Sequence, residues 1–268
     1  MDDPADVALL QRAGRAAFPG YELCLVRTVG STQDVVRTAA RAGAAPGYCC
    51  VADEQSAGRG RQDRSWQAPP GTALLCSTLL RAGHGLLGGI PLAAGLAVRA
   101  AVASTCGVPS RLKWPNDVLA GEDKLAGVLC EVEPLAPADG VAVVLGIGVN
   151  LTVPTFPPGA HGVSLHSLAR TVPSRTVLLA AVLTELAPRL VMLDHGAFGR
   201  LRDEWVSHAA SIGETVTAVS AAGSVTGVAQ GLDDDGALLL RTASGVVRVL
   251  AGDVHMGSRA GGQPPTVI

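Results

Sequence analysis

Apolar residues recur along this chain with two rhythms, one near 3.6 and one near 2, and the switches between them mark out its elements. Leucines and alanines at helical spacing over residues 1–20, stopped by Pro19-Gly20, predict a short amphipathic helix. Residues 21–29 read as a strand. Ser31-Thr32-Gln33-Asp34 offers hydroxyls that can cap free N–H groups, so a helix is expected from there to about Ala42. A buried strand over 48–53, a polar glycine-bearing loop from Gln55 to Gly71 and a strand over 72–80 come next. Residues 86–106 are small and apolar on every side, the mark of a buried helix. Strands are expected at 110–113, 118–120, 124–133 and 141–150, with a hairpin turn at Gly121-Glu122-Asp123. The Pro/Gly-rich stretch 154–162 is expected to be mobile. Helices follow over 174–193, where Pro188 should bend or end a turn, and over roughly 196–209. From Ser211 the character changes. Between 214 and 250 short Val/Leu runs are separated by Ala221-Ala222-Gly223, Asp233-Asp234-Asp235-Gly236 and Ser244-Gly245, as in a small β-barrel. The three aspartates read as a charged hairpin turn. These patterns divide the chain into residues 1–209, a barrel over 210–256 and a tail over 257–268 that is expected to be disordered.

Composition narrows the class. The chain has 268 residues, 48% of them hydrophobic and 16% charged, with a net charge of −2, so a large core is available and no basic stripe for nucleic acid is evident. Six cysteines without a C-x-x-C pair read as core thiols in a reducing cytosol. The acidic start Met1-Asp2-Asp3-Pro4 lacks the pattern of a signal peptide, and Gly, Arg or Pro interrupts the apolar runs before membrane-spanning length. A soluble cytoplasmic protein is expected. Neither lysine follows a glycine, as a P-loop requires. Gly58-x-Gly60 and Gly146-x-Gly148 lack the third glycine of the dinucleotide fingerprint, and no histidines have zinc spacing.

The basic residues are unevenly chosen. Of 21, only Lys113 and Lys124 are lysines. Where Arg replaces Lys almost everywhere, a surviving lysine marks a place where a compact ammonium does what a planar fork cannot, unless the two are simply leftover surface residues. Gly58-Arg59-Gly60-Arg61-Gln62-Asp63-Arg64-Ser65-Trp66 puts three arginines and a tryptophan on a glycine-hinged loop. Arginines take phosphate through charge-assisted bonds, and tryptophan offers a stacking face. The loop could therefore wrap a nucleotide, or be a solvated basic loop. In Lys113-Trp114-Pro115-Asn116-Asp117 the last two residues supply oxygen acceptors suited to a hydrated Mg²⁺ or a ribose, or to an ordinary turn.

Taken as an ordered set, these segments resemble the biotin protein ligase family. The set comprises Ser31-Thr32, Gln55-x-x-Gly58-Arg59-Gly60-Arg61-x-x-Arg64-x-Trp66, Lys113-Trp114-Pro115-Asn116-Asp117, Lys124-Leu125-Ala126-Gly127, Gly146-x-Gly148-x-Asn150 and, near the C-terminus, Gly227-x-Ala229-x-Gly231-Leu232-Asp233-x-x-Gly236-x-Leu238. The resemblance implies an α+β fold: a mixed-sheet catalytic domain like that of class II aminoacyl-tRNA synthetases, then a small SH3-like barrel. It implies two reactions, formation of biotinyl-5′-AMP and pyrophosphate from biotin and ATP with Mg²⁺, then transfer to a lysine on the biotin carboxyl carrier domain of an acyl-CoA carboxylase. No more than about 20 residues precede the first strand, too few for the winged helix of family members that repress transcription. A monofunctional ligase, monomeric or weakly dimeric and without a DNA or membrane partner, is therefore expected.

The resemblance also carries roles. Ser31, Thr32, Gln33 and Gln55 would meet the ureido ring of biotin, although the family usually has Asn where this chain has Gln33. Gly127 and Gly146 would form the pocket wall. Gly58, Arg59, Gly60 and Arg61 would cover biotin and the adenylate phosphate. Arg64 and Trp66 would enclose ATP. Asn116 and Asn150 would contact the nucleotide, Asn150 at adenine. Lys124 would be the main catalytic group, bridging biotin and phosphate. Lys113 would face the triphosphate, and Asp117 the metal or the incoming lysine. No metal ligand set is implied. Asp63, where the family often has Gly, could pair with Arg61 or Arg64, or oppose the phosphates. Lipoate or octanoate attachment, DNA-directed repression and a non-catalytic biotin-binding module are the rival readings.

Overall fold

The computed structural model describes residues 3–62, 64–133, 141–220 and 223–256. Asp63, residues 221–222 and the tail 257–268 lie outside these, and with them the expectations for Asp63, for the start of the 221–223 turn and for the tail. The described residues build two sheets. The first has seven strands: β1 (Glu22–Val29), β2 (Tyr48–Gln55), β3 (Ala73–Ala82), β4 (Arg111–Lys113), β5 (Asp117–Ala120), β6 (Asp123–Glu133) and β7 (Val141–Asn150). Their order is β1-β2-β3-β7-β6-β5-β4. β1 and β2 run parallel and the other neighbours antiparallel, which makes the sheet mixed, as expected.

Five helices accompany this sheet among the described residues: α1 (Pro4–Ala17), α2 (Thr32–Arg41), α3 (Gly89–Cys106), α4 (Arg175–Asp194) and α5 (Phe198–Ser207). α1 starts where Asp3 accepts from the Ala5 N–H at 2.7 Å and Pro4 takes a position that needs no donor. α2 is capped by Ser31, whose hydroxyl accepts from the Gln33 N–H at 3.3 Å. This cap turns the chain from β1 into α2 and sets residues 31–33 at a strand end.

α3 is apolar all round because it is enclosed all round. Leu96, Ala97 and Val98 are buried where α3 packs against the sheet and α4, and Leu178, Leu183 and Leu186 of α4 belong to the same core. α3 and α4 are each long and apolar enough to cross a membrane, which the interrupted-run reading missed; here they form the core. Pro188 was expected to bend or end a turn, and α4 continues past it. The Arg189 guanidinium donates to the Glu185 carbonyl at 2.7 Å in the same turn, and the burial of Leu186 and Leu193 outweighs one lost helical bond. The six cysteines are free. Burial pushes the Cys49 thiol up to about 11, as suits a core side chain.

The second sheet is antiparallel, with β8 (Thr215–Ser220), β9 (Gly223–Leu232), β10 (Leu238–Thr242), β11 (Gly245–Val249) and β12 (Asp253–Met256) in the order β11-β10-β9-β8-β12. This is the small C-terminal barrel expected, with one strand, β12, beyond the anticipated runs. The Asp233–Asp235 turn is a hairpin turn. It is held by Arg248 on Asp235 at 2.6 Å and by Arg202 of α5 on Asp234 at 2.6 Å. The same turn docks on the first sheet's unit. Trp114 donates its indole N–H to Gly236 O at 3.0 Å, and Gly88 lies so close to Asp235 O that a Cβ would come within 2.1 Å. Residues 208–210 follow α5 and join β4, with Leu112 N–H donating to His208 O at 2.9 Å and Ala210 N–H to Leu112 O at 2.7 Å.

Candidate active site

One cavity of about 180 Å³ collects the start of α2, the end of β2 and the loop after it, the body of β3, the β4–β5 turn, β6, β7 and the start of β12. Of the residues singled out in the sequence, it is lined by Ser31, Thr32, Gln33, Gln55, Arg59, Gly60, Arg61, Arg64, Trp66, Lys113, Asn116, Asp117, Lys124, Gly127 and Gly146. Gly58 and Asn150 are not in its lining.

One end of the cavity is neutral and polar. Gln55 Oε1 accepts from the Thr32 N–H at 2.7 Å and the Thr32 hydroxyl at 3.0 Å, and Thr32 Oγ1 lies 2.8 Å from Ser77 Oγ. Gln33 extends across the sheet end, and its amide donates to Leu129 O at 3.3 Å. Its longer arm fits because Gly146 stands opposite, where a Cβ would come within 3.1 Å of Gln33 Nε2. Gln33 Oε1 is left buried without a protein partner, an acceptor awaiting a donor. Ser77 was not anticipated. Its one signal was a Ser77-Thr78 hydroxyl pair inside the apolar run of β3.

The other end is cationic. Lys124 Nζ pairs with Asp117 Oδ1 at 2.6 Å and lies 5.6 Å from the centre of the Trp66 ring. Its backbone is clamped by the stretch expected to be mobile. Lys124 N–H donates to His161 O at 2.9 Å, and Val163 N–H donates to Lys124 O at 3.0 Å. Asn150 holds the same place, its amide donating to Lys124 O at 3.2 Å and Val163 O at 3.1 Å. The N–H groups of the Asn150 amide thus fix the backbone under Lys124. Lys113 faces Asp117 across the β4–β5 pair. Burial lowers the Lys113 ammonium from its ordinary value, Asp117 opposes that fall and Lys124 adds to it by repulsion.

The arginine loop crosses the cavity as a small hairpin. Trp66 N–H donates to Gly58 O at 2.9 Å and Gly60 N–H to Arg64 O at 2.6 Å. A Cβ on Gly58 would come within 2.4 Å of Trp66 O, so glycine there serves the hairpin rather than the cavity. Arg61 donates to Asn116 Oδ1 at 3.4 Å and to Gly252 O at 3.1 Å, and Arg64 pairs with Asp253 at the start of β12. Burial lowers the Arg61 guanidinium from its ordinary value, with Asp253 and Asp117 opposing. The barrel therefore contributes Asp253, Val254 and His255 to the lining, which nothing local in the sequence announced. Asn116 anchors its own turn, donating to Val128 O at 2.6 Å.

Trp66 rests on glycines. A Cβ on Gly148 would come within 2.7 Å of its ring, and one on Gly127 within 3.1 Å. Gly148→Ala should therefore displace the indole and weaken ligand binding about tenfold or more, because overpacking costs about 1–3 kcal/mol. Ligand titration of the variant checks this, and unchanged affinity with unchanged tryptophan fluorescence would count against it. Among the described residues no group of three or more His, Cys, Asp or Glu side chains is placed to hold a metal ion.

The model of the biotin/lipoate A/B protein ligase family matches residues 25–150, and that of the biotin protein ligase C-terminal domain matches residues 211–257. The chain is 36% identical over 242 residues to the biotin–[acetyl-CoA-carboxylase] ligase of Mycobacterium tuberculosis, covering 87% of this chain and 88% of that one. Its structure is similar to that of the biotin protein ligase from Aquifex aeolicus in complex with biotin and ATP, with a TM-score of 0.76, 30% identity and coverage of 88% of this chain and 98% of that one. A Leishmania major biotin protein ligase in complex with biotinyl-5-AMP shares the fold at a TM-score of 0.60 and 24% identity, over 86% of this chain and 99% of that one.

Proposed function

The chain belongs to the biotin protein ligase family, and from that premise we propose a division of labour among its residues. The protein activates biotin with ATP as biotinyl-5′-AMP and passes the biotinyl group to acetyl-CoA carboxylase. In our reading the acceptor is a lysine of the carboxylase's biotin carboxyl carrier domain. The enzyme works in the cytoplasm, and Mg²⁺ enters with ATP. Mg²⁺ would be held chiefly by the phosphates and water, with Asp117 as a cavity carboxylate able to meet it, and would offset charge on the phosphates.

The observation that carries the assignment is the cavity's polarity, with a buried unpaired amide acceptor at one end and an ammonium among arginines at the other. A ureido ring has N–H groups to give Gln33 Oε1 and a carbonyl to accept from the hydroxyl of Ser31, while Thr32, whose hydroxyl donates to Gln55 Oε1, shapes that end of the cavity. The valeryl chain then points its carboxylate at Lys124. The carboxylate attacks the α-phosphate and pyrophosphate leaves. Lys124 stands between the two anions and offsets the charge that gathers as they approach. Arg61 and Arg64 meet the phosphates, Trp66 packs over the reacting end, and Lys113 steadies the departing pyrophosphate. In transfer, the acceptor amine attacks the acyl carbon, AMP leaves, and Asp117 faces the amine and takes its proton.

Lipoate fits less well. Its dithiolane ring has no N–H donor, so Gln33 Oε1 would stay buried and unpaired at a cost of about 1–3 kcal/mol. Biotin should therefore support ATP–pyrophosphate exchange while lipoate and octanoate do not. Exchange with either acid in place of biotin would overturn the substrate assignment, and biotin binding without exchange would make the protein a binding module. Trypsin cleavage at Arg59, Arg61 and Arg64 should also be suppressed by biotin plus ATP, because the hairpin closes over the ligand. Equal cleavage with and without ligands would contradict closure.

A further inference from the structure

We infer that Arg59 is a positioning residue, a strut that anchors the arginine hairpin, and that Asp34 and Glu131 are the carboxylates that hold it. The three arginines of the hairpin are not equivalent. Arg61 and Arg64 reach toward the barrel and the β4–β5 turn. Arg59 reaches the opposite way. Its Nη1 pairs with Asp34 of α2 at 2.9 Å and its Nη2 with Glu131 of β6 at 3.0 Å. The two acids are held in place by Arg37, at 2.6 Å from Asp34 and 2.8 Å from Glu131. Arg37 and Arg41 also hold the buried Glu133, at 3.0 and 2.6 Å. Three arginines and three carboxylates thus form a closed, neutral lattice across α2, β6 and the hairpin.

This lattice commits both terminal nitrogens of Arg59 to carboxylates on α2 and β6, and its Nε is the buried donor left without a partner. It also ties the hairpin to the two elements that carry the cavity's neutral end. Residues 31–33 open α2, and the Leu129 carbonyl that receives Gln33 lies two residues before Glu131. The hairpin so stands on two feet, one at α2 and β6 through Arg59, the other at β12 through Arg64. The first foot keeps the roof down over bound adenylate and water out of the mixed anhydride.

The inference rests on the ligase reading, and the test separates the two. Adenylate is formed in wild type, Arg59→Gln, Asp34→Asn/Glu131→Gln and the triple variant. Its escape into solution is then timed, alongside the KM for ATP and the melting midpoint. A strut predicts release about tenfold faster in Arg59→Gln and in the carboxylate pair, no further gain in the triple variant, and ATP KM within about twofold throughout. A tenfold rise in ATP KM for Arg59→Gln with a silent carboxylate pair would make Arg59 an anion ligand and overturn the strut. Unchanged release in every variant would overturn it too. If wild type forms no adenylate, the ligase reading fails first. The strut is then judged on ligand-free protein, where the carboxylate pair must speed trypsin cleavage at Arg61 and Arg64, and equal cleavage rejects it.

Discussion

Lys124→Ala should lower biotin-dependent ATP–pyrophosphate exchange about 10²–10³-fold, the usual loss when one preorganised charge-stabilising group is removed. The preorganisation is visible in the backbone as much as in the side chain. Lys124 is pinned on both sides by His161 and Val163, and the Asn150 amide locks that pairing. The ammonium is then aimed between Asp117, at 2.6 Å, and the Trp66 ring. Biotin binding, which draws on the neutral end of the cavity, should fall far less than turnover. Lys124→Arg should not rescue the rate, because a planar guanidinium cannot take the place of a compact ammonium against Gly127, where a Cβ would already lie 3.1 Å from Lys124 Nζ. Exchange within threefold of wild type in Lys124→Ala, at an unchanged melting midpoint, would remove Lys124 from the chemistry.

Trp205→Ala should cost about 3–5 kcal/mol of stability, the range for deleting a buried aromatic side chain. For a domain of this size that lowers the melting midpoint by roughly 6–20 °C. Trp205 is 2% exposed and lies on the last turns of α5, which packs against α3 and α4. The segment that follows it, residues 208–210, is hydrogen-bonded to β4, and β4 carries Lys113 at its end. The void would therefore loosen the core and the edge strand beneath the cationic end together. A thermal or urea melt decides it, and a fall of less than 3 °C would show that the site collapses and fills.

Sequence reasoning succeeded where local rules and chemistry coincide. Ser31 caps a helix and lines the cavity from the same position, so the capping signal and the site signal were one. Lys113 and Lys124 stood out because arginine had displaced lysine elsewhere. Reasoning failed where tertiary contacts decide. Pro188 sits inside an unbroken helix because buried leucines on either side outweigh one missing donor. Residues 154–162 read as mobile from their prolines and glycines, and the pairing of His161 and Gly162 at their end with Lys124 has no local signal. Asn150 also gives its amide N–H groups to two carbonyls, a tie that no one-dimensional pattern records. Asp253 enters the site from 129 residues beyond Lys124 in the chain, through a barrel docked by the Trp114 indole, the close approach at Gly88 and the Arg202–Asp234 pair.

The placement of both lysines in one cavity reaches beyond catalysis. The protein makes an activated acyl anhydride whose natural target is an amine, yet every side-chain amine it owns lies at the point of manufacture. Amine-directed reagents of any kind will behave toward it as affinity labels. A preparation fixed to a support through its amines is held either by its first residue or by its own active site, and only ATP and biotin, present during the coupling, can shield the latter.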